Sequence, residues 1–135
     1  MNMGRALDIS AAGMTAQTTR LRVIAENVAN QDTTGSTPGA LPYSRKTVTF
    51  ANRLDRALGV DLVQVSKIGR DASAFPLRYD PSHPAADARG YVRTSNVDSF
   101  VEVMDMREAE RSYNANLAVM QSTRGMLQRT LEFLK

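Results

Sequence analysis

The sequence predicts a mainly α protein with a small β region. Long N- and C-terminal helices pair as a coiled coil, and short antiparallel strands lie in the middle. Three observations carry that reading. Apolar residues recur at steps of three and four through the last third of the chain. A second, heptad-spaced apolar set runs through its start. Alternating stretches rich in β-branched residues are confined to the region between them. The boundaries that follow are 1–30 for an N-terminal helix, 31–96 for a loop and small β-rich middle region, and 97–135 for a C-terminal helix.

The C-terminal stretch organises the rest. Positions 103, 106, 110, 113, 117, 120, 124, 127, 131 and 134 read Val103, Met106, Glu110, Tyr113, Leu117, Met120, Arg124, Leu127, Leu131 and Leu134, and eight of these ten are apolar. A seam this narrow, repeating every seven residues, packs on another helix. The run holds no proline, and at 1.5 Å per residue it forms a rod on the order of 55 Å long. A rod of that length outruns any local core and needs a partner. Asp98 or Ser99 can cap it, and Ser99 with Glu102 has capping-box spacing. Acids crowd the first turns and Arg124, Arg129 and Lys135 lie in the second half, a polarity that complements the helix dipole.

The first helix is expected over residues 3–30. Leu7, Met14, Leu21 and Val28 share one heptad position, with Ala11, Ile24 and Ala25 beside them. Small residues along its first half (Ala11, Ala12, Gly13, Ala16) let a partner backbone approach closely. Alone it would be marginal in water, because most helical stability comes from packing. Asn27, Asn30, Asp32, Thr33, Thr34 and Gly35 favour turns and stop it, and residues 35–42 form a loop rich in Gly and Pro. The middle then offers short strands near Lys46–Phe50, Val60–Ile68, Phe75–Tyr79 and Gly90–Arg93, with a turn at Asp80-Pro81-Ser82-His83-Pro84. Strands this short make a small sheet that must lean on a helix.

Composition bounds the function classes. The chain has 135 residues, 42% hydrophobic and 6% aromatic, with no Trp and no Cys. Disulfide scaffolds and thiol catalysis are thereby excluded. No apolar run approaches the length of a membrane span, and Met1 to Arg22 lacks the apolar core of a secretory signal. Net charge is +3, with nine bases against six acids in residues 31–96. Those bases are interspersed with Asp, unlike the one-sided basic face with stacking aromatics of a nucleic-acid binder. No nucleic acid and no direct membrane insertion are therefore expected.

No constellation for chemistry emerges. Asp80, Ser82 and His83 hold the residue types of a hydrolytic triad, but neighbours in sequence do not reach nucleophile–base–orienter geometry and two prolines freeze the stretch. His83 is the only histidine, so no His-pair metal site exists. The acids at 102–110 read as a solvated helix start rather than a cation site. Met104, Met106, Met120 and Met126 read as core or interface filler, and Tyr113 as a packed ring with a wet hydroxyl. The expectation is a protein that is not an enzyme, with no catalytic, metal or cofactor-binding residues.

The remaining signal is a resemblance. Ala6-Leu7-Asp8-Ile9-Ser10-Ala11-Ala12-Gly13-Met14-Thr15-Ala16-Gln17 resembles the N-terminal signature of bacterial flagellar rod and hook axial proteins. Ile24-Ala25-Glu26-Asn27-Val28-Ala29-Asn30 is similar to the Asn-rich motif that follows it in that family, with Glu26 standing where the family usually has Asn. Thr33-Thr34, Pro42-Tyr43-Ser44-Arg45-Lys46, the Tyr79–Pro84 turn, Gly90-Tyr91-Val92 and Ser95-Asn96-Val97-Asp98 resemble a proximal-rod member. Val103-Met104-Asp105-Met106 and Arg111-Ser112-Tyr113-Asn114-Ala115-Asn116 are similar to the shared axial ending.

The resemblance implies a structural subunit of the proximal rod, exported by the flagellar type III apparatus without a cleaved signal and assembled in the periplasm into the shaft that transmits motor torque. Implied partners are copies of itself, the rod proteins FlgB, FlgF and FlgG, the rod-base adaptor FliE and the export apparatus. The assembly interface expected from the seams and the Asn motif together is Leu7, Met14, Leu21, Ile24, Asn27, Val28, Asn30, Val103, Met106, Tyr113, Leu117, Met120, Leu127, Leu131 and Leu134. The basic middle would meet acidic patches on neighbouring rod subunits or on the surrounding ring. The alternative reading is a cytoplasmic helical adaptor or chaperone of the flagellar export system.

Overall fold

A computed structural model describes residues 2–134. Lys135, expected at the basic end of the second helix, lies outside the described residues. The elements in order are α1 (Met3–Ala29), β1 (Lys46–Asp55), β2 (Val60–Arg70), β3 (Leu77–Tyr79), β4 (Tyr91–Arg93) and α2 (Ser99–Phe133). Two long helices therefore enclose a middle of short strands in sequence, the fold class read from the pattern of apolar residues.

The ends of the helices have local causes. At the close of α1, the Asn30 amide donates to the backbone oxygen of Glu26 (2.8 Å) and the Thr33 hydroxyl donates to Asn30 (3.2 Å). The Glu26 carbonyl near the helix end thus finds a side-chain donor, and Thr33 steadies the Asn30 side chain that supplies it. Before α2, the Val97 N–H donates to the Ser95 hydroxyl (3.3 Å), and Asp98 caps the N–H groups of Phe100 (2.9 Å) and Val101 (3.4 Å). The helix accordingly starts two residues later than the apolar pattern suggested. The expected Ser99–Glu102 capping box does not form. Ser99 donates to Gln31 instead, and Glu102 turns inward, wholly buried.

The strands form two separate two-stranded sheets. β1 and β2 make a ribbon longer than the β-branched residues alone indicated, because ladder hydrogen bonds carry it past Phe50 as far as its turn. That turn is built by Asp55. Its carboxylate accepts from the N–H groups of Ala57 (2.9 Å) and Leu58 (3.1 Å), and its backbone oxygen accepts from Gly59 (2.8 Å). Gly59 sits at φ 64°, a left-handed conformation that suits glycine. β3 and β4 pair antiparallel with Arg78 opposite Val92 and Tyr79 opposite Tyr91. The two tyrosine rings meet edge to face at 5.3 Å. Gly90, at φ 82°, lies where a Cβ would come within 3.0 Å of the Tyr79 ring.

The chain divides into two compact units, each assembled from three or two separate stretches. The first comprises Met1–Leu21, Val48–Lys67 and Met106–Lys135. Within it the helices run antiparallel: Gly13 on α1 lies against Asn116 on α2, and Arg20 pairs with Glu108 at 3.1 Å. This pairing is compatible with a coiled coil, and its innermost positions are small or polar. Ser10, Ala16, Ala109 and Thr123 are buried, along with Gly13. A Cβ on Gly13 would stand 2.8 Å from the Asn116 amide nitrogen.

The second unit comprises Arg22–Thr47 and Ile68–Asp105. Its apolar core is Val23, Ile24, Ala85 and Val92. The Asp80–Pro84 turn is part of it. Ser82 donates to Asp80 (2.9 Å), while His83 accepts the Ala85 N–H at Nδ1 (3.0 Å) and meets the Thr34 hydroxyl at Nε2 (3.2 Å). The three side chains that read as a triad in sequence thus build a turn.

The close approach in the first unit makes a prediction. Gly13→Ala should gain the ~1 kcal/mol of helix propensity that glycine forgoes only once Asn116 is shortened. In the wild-type background the new methyl meets the Asn116 amide, and the change is neutral or destabilising. In an Asn116→Ala background it should stabilise. Urea unfolding of the four variants measures the difference, and equal effects in both backgrounds would contradict the packing described.

Candidate assembly surface

The site begins with a buried acid. Glu102, one turn into α2, is 0% exposed. A carboxylate out of water must be paired and hydrogen-bonded, and two groups of the same unit do this. The Arg45 Nε donates to one oxygen and the Asn27 amide to the other (3.1 Å). Arg45 reaches further, to Asp105 at 3.1 Å and Asp71 at 3.7 Å. Its backbone N–H donates to Asn96 (2.7 Å), whose own amide holds the backbone oxygens of Asp71 and Ser73.

Asn27 is the joint. Its oxygen accepts from the Tyr43 hydroxyl and the Lys46 N–H, both at 2.9 Å, and its amide donates to the Lys46 carbonyl (2.9 Å) and to Glu102. All four hydrogen-bonding positions of the side chain are filled. An asparagine saturated in this way fixes the end of α1, the entry to β1 and the first turn of α2 together. At the margin, Glu26 takes Lys46 at 2.7 Å and Arg22 at 3.1 Å.

The ionisations follow from these contacts. Burial opposes the charge on Arg45, but Glu102, Asp105 and Asp71 outweigh it and raise its pKa. The hydrogen bond from Lys46 holds the Glu26 carboxyl below its ordinary value, and the same bond raises Lys46. Burial pushes the Tyr43 phenol up. The backbone N–H of Ser73 lowers Asp71, and that of Tyr91 lowers Asp87.

The sequence-expected interface residues fall into two groups. Asn27 and Ile24 are buried inside the second unit, and Asn30 is half-buried at the end of α1. The apolar seams lie elsewhere. Leu7, Met14, Leu21 and Val28 on α1 are half-buried, as are Met106, Tyr113, Leu117, Met120 and Leu127 on α2. Val103, Leu131 and Leu134 are exposed, at 43%, 61% and 79%. The α1 seam sits roughly one residue's rotation, about 100°, from the buried stripe of its helix, whereas the α2 seam runs along the edge of its buried stripe. Further apolar side chains stand open beside them: Ile9, Phe100, Met104, Val119, Met126 and Phe133.

The expectation of a solvated acidic start to α2 is corrected at Glu102 and Asp105, which meet Arg45 rather than water alone. The central pair was out of reach of periodicity because Arg45 and Glu102 stand 57 residues apart. Their signal in sequence was only an isolated basic pair, Arg45-Lys46, and an acid in the first turn of α2. Among the described residues no helix is long and apolar enough to cross a membrane, and no cluster of three or more acids and histidines stands together to hold a metal ion.

A polar knot bracing two long helices, whose apolar flanks stay open, suits a subunit made to be packed by others. Comparison with known proteins gives that class a name. Residues 7–37 match the family described as "Flagella basal body rod protein", and residues 88–133 match "Flagellar basal body rod FlgEFG protein C-terminal". The chain is similar over nearly its whole length to three rod proteins named FlgC. It is 49% identical to that of Agrobacterium fabrum, covering 98% of this chain and 96% of that protein. It is 40% identical to that of Aquifex aeolicus (100% and 99%) and 37% identical to that of Bacillus subtilis (100% of both). The chain belongs to the FlgC family of flagellar basal-body rod proteins, and is a structural subunit of the rod.

Two expectations follow from the knot. Glu102→Ala strands the Asn27 amide and takes the nearest acid from Arg45, so the unfolding free energy should fall by about 2–4 kcal/mol in urea titrations. A loss under about 0.5 kcal/mol, the range of ordinary surface changes, would contradict a buried, paired carboxylate. Depressed carboxyls at Glu26, Asp71 and Asp87 contribute stability above their ordinary values that is lost as pH falls through their folded values. Raised Lys46 contributes stability below its ordinary value that is lost as pH rises through its folded one. The unfolding midpoint should therefore hold level between about pH 5 and pH 10 and drop on either side.

Proposed function

We propose that this rod subunit assembles through the apolar flanks of α1 and α2, with copies of itself and other rod proteins as neighbours. The observation that carries this reading is the division of labour on each helix. Apart from Val23 and Ile24, the residues facing inward on the helices are small or polar, while Leu7, Met14, Leu21, Val28, Val103, Met106, Tyr113, Leu117, Met120, Leu127, Leu131 and Leu134 remain half or fully open. Large exposed apolar stripes mark association sites. Asn27 and Asn30 act within the chain by fixing the end of α1.

The terminal helices (1–30 and 97–135) then form the axial layer and residues 31–96 the outer part. FlgB, FlgF, FlgG and the base adaptor FliE are the neighbours this reading names, and the flagellar type III export apparatus delivers the chain to the periplasm. The subunit works without catalysis. Torque passes through many lateral contacts, and heterologous contacts that do not close build a helical tube.

Leu131 is exposed enough to be changed without disturbing the fold of the chain. Leu131→Asp should leave export intact and lower incorporation into isolated basal bodies at least ~10-fold, since a charge in an apolar interface costs several kcal/mol. Wild-type swimming and incorporation of this variant would refute the assigned role of the stripe.

A further inference from the structure

The tip of the β1–β2 hairpin holds charge that the described residues use only in part. Arg53 and Arg56 flank Leu54 on an open concavity of about 780 Å³ that also includes Asp55 and Gln64. Both arginines are exposed, and Leu54 is 58% exposed. Asp55 is the one acid among the residues lining the concavity, and its carboxylate is occupied by the turn N–H groups of Ala57 and Leu58. Arg53 is steadied by Gln64 at 3.5 Å. Arg56 has no hydrogen bond or ion pair among the described residues. The turn is thus held by Asp55, while Arg56 is unpaired among the described residues and Arg53 spends a single long hydrogen bond on Gln64. Guanidinium pairs suit carboxylates, and arginine is enriched at the centres of protein interfaces.

A complementary surface exists in the second unit. The contact of Ser99 with Gln31 brings the end of the α1 turn beside the start of α2. Asp32 and Asp98 are both exposed there, with Phe100 beside them at 75% exposure. Asp32 has no partner among the described residues, and Asp98 uses one oxygen to cap α2. Two acids and an apolar ring face outward on this junction, against two bases and a leucine on the tip. The charge of the units agrees. The stretches of the first unit hold ten Lys and Arg against six acids, and those of the second hold seven against eight.

We propose that the hairpin tip of one copy docks on the Asp32–Asp98–Phe100 junction of a second copy. Arg53 and Arg56 pair with the two carboxylates, and Leu54 packs against Phe100. The contact is heterologous, tip to junction, so it repeats along a helical assembly rather than closing a dimer. It rests on the rod reading only in requiring neighbouring copies, and is independent of the apolar stripes.

Charge exchange tests it in a flagellated bacterium. Arg56→Glu and Asp32→Arg should each lower incorporation into basal bodies about tenfold, because like charges then face each other, and the double variant should recover most of the loss. Circular dichroism of the purified variants should match that of the parent, since both side chains are exposed. Single variants that assemble normally, or a double variant no better than either single, would overturn the proposal. The second outcome would place the partner of the tip on another protein.

Cross-linking gives a reading that leaves these charges in place. The chain has no cysteine of its own. Ala57→Cys combined with Thr33→Cys should give a ladder of covalent oligomers in assembled rods, and either change alone should give none. Rods that assemble without the ladder would also sink the contact. If the tip variants assemble normally while Leu131→Asp does not, this proposal fails and the role of the stripe stands. If all assemble normally, the role of the stripe falls with it.

Discussion

The pairing of Glu102 constrains the second unit more than any other contact. An isolated carboxylate in a protein interior costs several kcal/mol even after relaxation. It survives at 0% exposure only because Arg45 and Asn27 converge on it. Those two residues come from the end of α1 and the entry to β1, so satisfying one charge fixes three chain segments. Asn96 and Asp71 then brace Arg45 from the far side. Ion pairs of this kind add little net stability over a well-packed apolar core, but they leave few alternative arrangements. For a subunit that must meet neighbours in one orientation, such specificity is the useful quantity.

The first unit solves a different problem. Its helices approach closely because the residues between them are small: Ser10, Gly13 and Ala16 on one side, Ala109 and Thr123 on the other. Burying small residues gains little hydrophobic free energy, since that gain scales with apolar area. The larger apolar side chains are displaced to the flanks, where a single chain cannot cover them. Isolated long helices with half-covered stripes are only modestly stable. In the proposed assembly, packing by neighbours completes what the chain leaves open.

The two long helices and the β character of the middle were legible in sequence because they depend on local periodicity. Leu7, Met14, Leu21 and Val28 recur by heptads whatever surrounds them, and Lys46–Phe50 alternates on its own. The stop near Asn30 was also local, as turn-forming side chains bond their neighbours in the chain. The resemblance of the termini to rod proteins was legible for the same reason, being carried by short strings of residues.

Tertiary structure alone decided which stripe of each helix turns inward and what becomes of the polar residues. Asn27 read as a helix stop and is the saturated centre of a knot. Glu102 read as a capping residue and is the most buried acid. The distinction is physical. A hydrophobic period is a property of consecutive residues, whereas the fate of a charge depends on what lies within about 4 Å of it in space. Arg45 stands 57 residues from its partner, and only folding brings the two within hydrogen-bonding reach.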